Sequence, residues 1–453
     1  MDAGRAGPDV DAQPALLAST AAVTAGNLAS RITGFVRVLA VALALGTTFA
    51  GNTYQTSNLV SNVLFELLAA GLLSSVLVPP FVRLLDAGGR EEAERLAGSV
   101  LGLALAGLGA VTVAGLLLRP WIMRLLTVAV ADPEVRRQEI ELGSFLLLFF
   151  VPQVLLYAVG SVATGLLHGQ RRFAAAAFAP VANNVLVILT MAAFWVLHRS
   201  GGGGRPGLAL PATERLVLGL GTTAGVLAMT LVPVVALWRS GVRLRPRWDL
   251  AQPVPADPAQ SGLWAGGLLA AAQVLIVTTL VLANRIEGGV VAYHIAFQVF
   301  LLPFALVAHP VMTALYPRLA SSAHQERWAG FSEQLRGGLG AMAFLALPAS
   351  ALLVALAGPA LRLLNLGNLD AAGAALAARL VVAFGIGLVG YAAFQLLARA
   401  FYAQGDTRTP AVVAVAVAVG GSAAMVAAFA ATSGPWRLSA VGFGHSFAYV
   451  GGA

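Results

Sequence analysis

The 453-residue chain contains no cysteine and no lysine, and only 11% of its residues are charged. Without cysteine it has no disulfide framework and no thiolate metal site. Its six histidines are scattered without ligand spacing, so no metal or other cofactor is expected. All 28 basic residues are arginine, which in so Gly- and Ala-rich a chain reads as coding bias. The scarcity of charge excludes more. A soluble protein carries about a quarter charged residues, whereas 58% of this chain is hydrophobic and its mean hydropathy is +0.82. Such a chain is an all-α polytopic membrane protein, because a helix satisfies its own backbone groups inside lipid.

The net charge of +8 does not point to nucleic acid. The arginines lie scattered in short loops rather than in a basic stripe with aromatics, so the partners they suit are anionic lipid headgroups. No phosphate-cradling loop, nucleophile elbow or facing carboxylate pair is present, so neither enzymatic chemistry nor an ATP-driven pump is expected. Residues 1–14 are polar, with Asp2, Asp9 and Asp11, and no cleavable signal follows them.

Apolar stretches of spanning length, about 20 residues, lie near 15–46, 54–82, 96–118, 142–167, 173–197, 216–238, 263–284, 289–317, 337–361, 376–404, 410–432 and 438–453. The last stops at Gly451-Gly452-Ala453 and is expected to be an incomplete helix. More arginines fall in the inner loops when the N-terminus is placed in the cytoplasm, which sets the orientation. The cluster Arg239, Arg243, Arg245 and Arg247 then divides the chain. The expected plan is a cytoplasmic tail (1–14), an N-terminal lobe of six spans (15–238), a cytoplasmic linker (239–262) and a C-terminal lobe of six spans (263–453). Two internal similarities at a shared offset support it: residues 76–83 resemble 313–319, and Leu167–Phe173 resembles Tyr402–Arg408. An offset of six spans makes the lobes parallel repeats about an axis along the membrane normal, around a central cavity.

Arg31 and Arg37 lie inside the first apolar stretch. A guanidinium keeps its charge in a protein, and at membrane depth that costs at least a few kcal/mol. Holding an anion in a cavity is the use that repays the placement. Six residues separate the two, so their side chains point about 120° apart, and Gly34 between them would ease a bend. The alternative is a first helix over 14–30 with both arginines in an interfacial loop. In the second span Asn58, Asn62 and Glu66 recur at i, i+4 and i+8 and form one polar stripe, suited to a cavity wall or to helix packing. Glu66 could pair with an intramembrane arginine. In the eighth span His294 and Gln298 are i, i+4 neighbours, able to meet a ligand or merely to satisfy each other's surroundings.

The segments Ser30–Arg37, Asn62–Pro79, Leu302–Leu319 and above all Phe401–Pro410 (FYAQGDTRTP) resemble the MurJ/MviN-type lipid II flippases of the multidrug/oligosaccharidyl-lipid/polysaccharide exporter superfamily. The resemblance covers essentially the whole chain. It implies two six-helix lobes around a cationic cavity, and two further C-terminal helices in full-length members. It also implies a multi-pass protein of the bacterial plasma membrane that moves a polyprenyl-pyrophosphate-linked peptidoglycan precursor between leaflets. Cell-wall synthesis proteins are then its expected partners. The expected binding set is Ser30, Arg31, Arg37, Asn52, Asn58, Glu66, His294 and Gln298. Arg31 and Arg37 would grip the pyrophosphate, while Asn52, Asn58 and Gln298 would meet the headgroup. The chain departs from the family pattern at Val38, Asn52, Phe65, Phe297, Gln298 and Leu301, where charged residues are common. These departures leave room for a flippase of another lipid-linked oligosaccharide, a non-transporting scaffold of envelope assembly, or a drug antiporter.

Overall fold

The computed structural model describes residues 12–67, 80–248, 259–364 and 367–453, with side chains described for these except 12–20 and 259–268. The expectations for residues 1–11 of the tail, for 68–79 with Gly71 and the Ser74–Pro79 ending, and for 249–258 of the linker lie outside the described residues. Every regular element among the described residues is a helix.

The first element, α1 (Ala12–Leu45), is one unbroken helix. That continuity removes the alternative of an interfacial loop at Ser30–Arg37. It ends at Gly46, whose φ of +71° suits a residue without a side chain and whose added Cβ would meet the Asn368 carbonyl at 2.6 Å. Thr48 then caps α2 (Phe49–Phe65) by accepting from Gly51 N at 3.1 Å. A short helix over 80–86, α3, precedes the long α4 (Arg90–Leu126). Asp132, followed by Pro133 in the first turn, starts α5 (Pro133–Phe150). Proline lacks the N–H that would continue the ladder, and the chain breaks at Val151-Pro152 before α6 (Gln153–Gly169). The half closes with α7 (Ala174–Ser200) and α8 (Ala212–Arg239).

The second half contains α9 (Ala259–Asn284), α10 (Gly289–Pro303) and α11 (His309–His324), the last two joined by a π-helical turn at Phe304–Ala308. Then come α12 (Trp328–Arg362), α13 (Ala371–Ile386), α14 (Leu388–Ala403), α15 (Arg408–Ala431) and α16 (Ser439–Gly452). Among the described residues eight helical segments are long and apolar enough to cross a membrane, and the pair α13–α14, bent by 50°, makes a ninth. The three remaining predicted spans fall on α2, on α9 with its apolar Leu269–Asn284, and on α16.

Local features recur between the halves. The chain closes α6 with Arg171 N to His168 O and Arg172 N to Leu167 O, and closes α14 with Gly405 N to Tyr402 O and Asp406 N to Phe401 O. Arg171 and Gly405 occupy the same left-handed position, at φ 59° and 79°. A π turn follows α2 at Glu66–Leu67 as one follows α10. Helix α1 packs closely on α7 through small residues, as membrane helices do: a Cβ at Gly26 would lie 2.9 Å from Ala177 Cβ. Asn184 of α7 stitches the pair, donating to Ser30 O at 3.2 Å and Thr33 Oγ1 at 3.1 Å. The described part of the segment after α8 lies along α4, with Arg247 N donating to Gly98 O at 2.9 Å.

Candidate functional site

The hydrogen bonds and ion pairs joining α1–α8 to α9–α16 cluster at the end of the bundle marked by Gly46. Asn52 is fully buried and uses both ends of its amide there, donating to Ile286 O at 2.8 Å and accepting from Val290 N at 2.9 Å. One turn along α2, Thr56 bonds Asn284 at 3.0 Å, and Asn284 also donates to Leu126 O at 3.2 Å. Asn368 donates to Ala44 O at 2.7 Å. Arg205 ties this end from outside, reaching Thr47 O at 2.7 Å and Asp370 at 3.1 Å. Asn52, expected to meet a headgroup, is in this conformation buried in the contact between the halves. Its amide nitrogen and oxygen each bond a backbone atom of the α9–α10 turn, and it holds the two halves together.

Away from that end the arginines of α1 take different surroundings, as their angular separation requires. Arg37 sits about 12 Å along α1 from the Gly46 end. It is half-buried and within electrostatic reach of Tyr54 on α2, Tyr157 on α6 and His294 on α10. Arg31, about 9 Å further from that end, is exposed and within reach of His309 on α11, as is Arg399 on α14. Arg31, Arg37 and Arg399 have no hydrogen-bonded or ion-paired partner among the described residues. Charges so placed are expensive in a membrane protein unless a ligand or water meets them.

His294 presents an enclosed Nε2 without a hydrogen-bond partner, one turn from Gln298, whose side chain is also unbonded among the described residues. Asn58, Asn62 and Glu66 are half-buried, and their side chains likewise have no partner among the described residues. The expected pairing of Glu66 with an arginine is not formed. At about 1.5 Å per residue Glu66 lies about 26 Å from the Gly46 end, far deeper than Arg37. Ser30 contributes its carbonyl to Asn184, which fixes α1 on α7 beside Arg31. The structure thus places Arg37 within electrostatic reach of His294, places Arg31 and Arg399 within reach of His309, and commits Asn52 to the α9–α10 turn.

Sequence reasoning passed over two features. Arg399 lies inside the predicted span 376–404, and the cost argument applied to Arg31 and Arg37 would have selected it too. Tyr157, Ser161, Thr164 and His168 recur at i, i+4, i+7 and i+11 along α6, a stripe hidden within a long apolar run. They line a pocket of about 330 Å3 between α6, α7, α8 and Phe65. On the other half an apolar groove of about 450 Å3 runs from Phe35 of α1 along α10 and α12.

The fold is similar to that of a solved lipid II flippase MurJ in an inward closed conformation, with a TM-score of 0.75 at 18% identity, covering 95% of this chain and 85% of that one. It is also similar to an inward-facing multidrug resistance MATE family transporter of the MOP superfamily, with a TM-score of 0.70 at 16% identity over 95% of this chain and 92% of that one. The chain therefore shares the helical fold of these membrane proteins. A model of the family "Lipid II flippase MurJ" matches residues 41–453. Curated relatives include the probable lipid II flippase MurJ of Rhizobium meliloti, 28% identical over 90% of this chain and 75% of that protein. Another is the lipid II flippase MurJ of Burkholderia cenocepacia, 28% identical over 88% of this chain and 75% of that protein. The chain belongs to the MurJ lipid II flippase family and is a multi-pass protein of the bacterial inner membrane.

Proposed function

We propose that this protein carries lipid II, a peptidoglycan precursor on a polyprenyl pyrophosphate, from the inner to the outer leaflet by alternating access. The observation that carries the proposal is Arg37: a permanent cation at membrane depth, half-buried among Tyr54, Tyr157 and His294, with no acidic partner among the described residues. A pyrophosphate would supply the missing charge through charge-assisted hydrogen bonds. His294 Nε2 stands ready to join it, with Gln298 and Asn58 beside the path of the headgroup. The polyprenyl tail stays in lipid, where the apolar groove beginning at Phe35 offers it a continuous surface.

With the N-terminus in the cytoplasm, the Gly46 end faces outward. The Asn52, Asn284 and Asn368 hydrogen bonds then close the outer side of a cavity open to the inner side. Rocking of residues 15–238 against 263–453, joined through the segment 239–262, would open the outer side at the cost of these bonds. The matched helix closures at Arg171 and Gly405 support this division into two repeats. Phe65 and Phe297, standing where the family pattern carries charge, favour a second reading in which the carried headgroup is another lipid-linked oligosaccharide. Complementation separates the cases. In cells depleted of their essential lipid II flippase, the full chain is expected to restore growth and Arg37→Ala to fail. Equal rescue by Arg37→Ala refutes the role of Arg37. Failure of a well-inserted wild-type chain favours the second reading.

A further inference from the structure

The pocket beside Phe65 has a lining that the transport cycle above does not use. Its α6 wall carries Ser161 and Thr164, half-buried and without hydrogen-bond partners among the described residues. Several other hydroxyls in the spans are committed to the backbone. Thr112, Thr190 and Thr230 each donate to the carbonyl four residues back, at 2.7, 2.8 and 3.0 Å, the ordinary resort of a hydroxyl in an apolar helix. Ser161 and Thr164 leave theirs free to meet a guest. The His168 ring lies one turn further along the same wall. At the other end the rings of Phe65 and Tyr157 lie 5.4 Å apart, tilted by 50°. Tyr157 is also within electrostatic reach of Arg37, so this end of the pocket is the one turned toward the anion site.

Paired ring faces and uncommitted hydroxyls, with no formal charge among the lining side chains, fit a neutral polyol with one apolar face. Aromatic rings cover the C–H face of such a ring while hydroxyls meet its edge. The volume of about 330 Å3 is at the small end of ligand pockets, and it suits one hexopyranose with its acetamido group rather than a disaccharide. We propose that this pocket is a saccharide subsite, which seats the N-acetylhexosamine next to the pyrophosphate while Arg37 holds the pyrophosphate itself. The inference rests on the reading of the protein as a carrier of pyrophosphate-linked saccharides.

The test is binding by the full chain in lipid nanodiscs of two probes, undecaprenyl pyrophosphate and undecaprenyl-pyrophosphoryl-N-acetylglucosamine. The sugar-bearing lipid is expected to bind about 10-fold more tightly, the worth of one or two well-made hydrogen bonds. Ser161→Ala/Thr164→Val is expected to remove most of that preference while still binding the sugar-free lipid, which also reports that the variant is folded. Arg37→Ala is expected to weaken both lipids alike. Equal affinities in the wild type, or a preference unchanged in the double variant, overturn the subsite. Unchanged binding of both lipids in Arg37→Ala overturns the anion site and leaves the sugar preference standing on its own measurement. No binding of either lipid by the wild type overturns both.

Discussion

The two halves of this protein bury different chemistry. Helices α1–α8 are held by directional contacts: Tyr54 bonds Thr222 at 2.8 Å, Gln153 bonds Thr223 at 2.9 Å and Thr53 reaches the buried Glu139 at 3.4 Å. Helices α9–α16 centre on rings: Tyr293, Phe297, Phe300, Phe384, Tyr391, His445 and Tyr449 pack edge-on, tilted or stacked, with centroids as close as 4.7 Å. Hydrogen bonds fix rotamers, and they let the first half present Arg37 and the α6 stripe in set positions. Ring packing is less directional and spreads its energy over area, which suits a half that moves as one body. On the proposed reading, headgroup recognition falls mainly to the first half, with His294 reaching across from the second.

The comparison can be broken by substitution. The largest effect is expected from Phe384→Ala at the centre of the ring cluster, about 3–5 kcal/mol of stability by the usual cost of deleting a buried ring, read as a fall in thermal unfolding temperature. A smaller loss there would mean that the cluster is loosely packed. Next is Arg37→Ala, which should weaken binding of a polyprenyl pyrophosphate by about 10–100-fold, the range for a charged hydrogen-bond donor. Arg31→Ala, at an exposed position, should cost less, and the reverse order would shift the anion site toward Arg399. Asn52→Ala leaves Val290 N without its partner, while Ile286 O keeps its bond from Gly289 N, a penalty of about 1–3 kcal/mol. It should favour the outward-open form, seen as labelling by an impermeant thiol reagent of a single cysteine introduced at the buried Val291 in this cysteine-free chain. Unchanged labelling would mean that Asn52 does not latch the closed end. The smallest effect concerns Asp406, whose carboxyl is held below its ordinary range by hydrogen bonds from Thr409 and Arg408 at the start of α15. Its contribution is present above the ordinary carboxylate pKa and is lost as pH falls through the lowered one. Amide exchange at Arg408 and Thr409, corrected for intrinsic rate, should therefore speed up only in that acidic window. Asp406→Asn should abolish the window.

Apolar length alone located the helices, because a bilayer demands it of every span. The breaks at Val151-Pro152 and Gly387 fell inside continuous apolar runs, where hydropathy carries no signal of direction. Arg37 was legible from cost, since one charge in a run of apolar residues needs a reason. Asn52 was not. An asparagine near a span end reads the same whether it faces a cavity or a backbone turn more than two hundred residues away, and the Ile286 and Val290 partners decide it. The Ser161–Thr164 stripe was obscured for a similar reason: hydroxyls in a helix usually turn back on the backbone, and only the coordinates show that these do not.

The central claim is that Arg37 grips the anionic part of a lipid carried across the membrane. Translocation of a fluorescent lipid II in proteoliposomes tests it most directly. The account predicts that the wild type exposes the lipid to an outside reagent at a rate well above empty vesicles, and that Arg37→Ala, inserted to the same level, falls at least about 10-fold. Arg37→Ala carrying the lipid as fast as the wild type would contradict it.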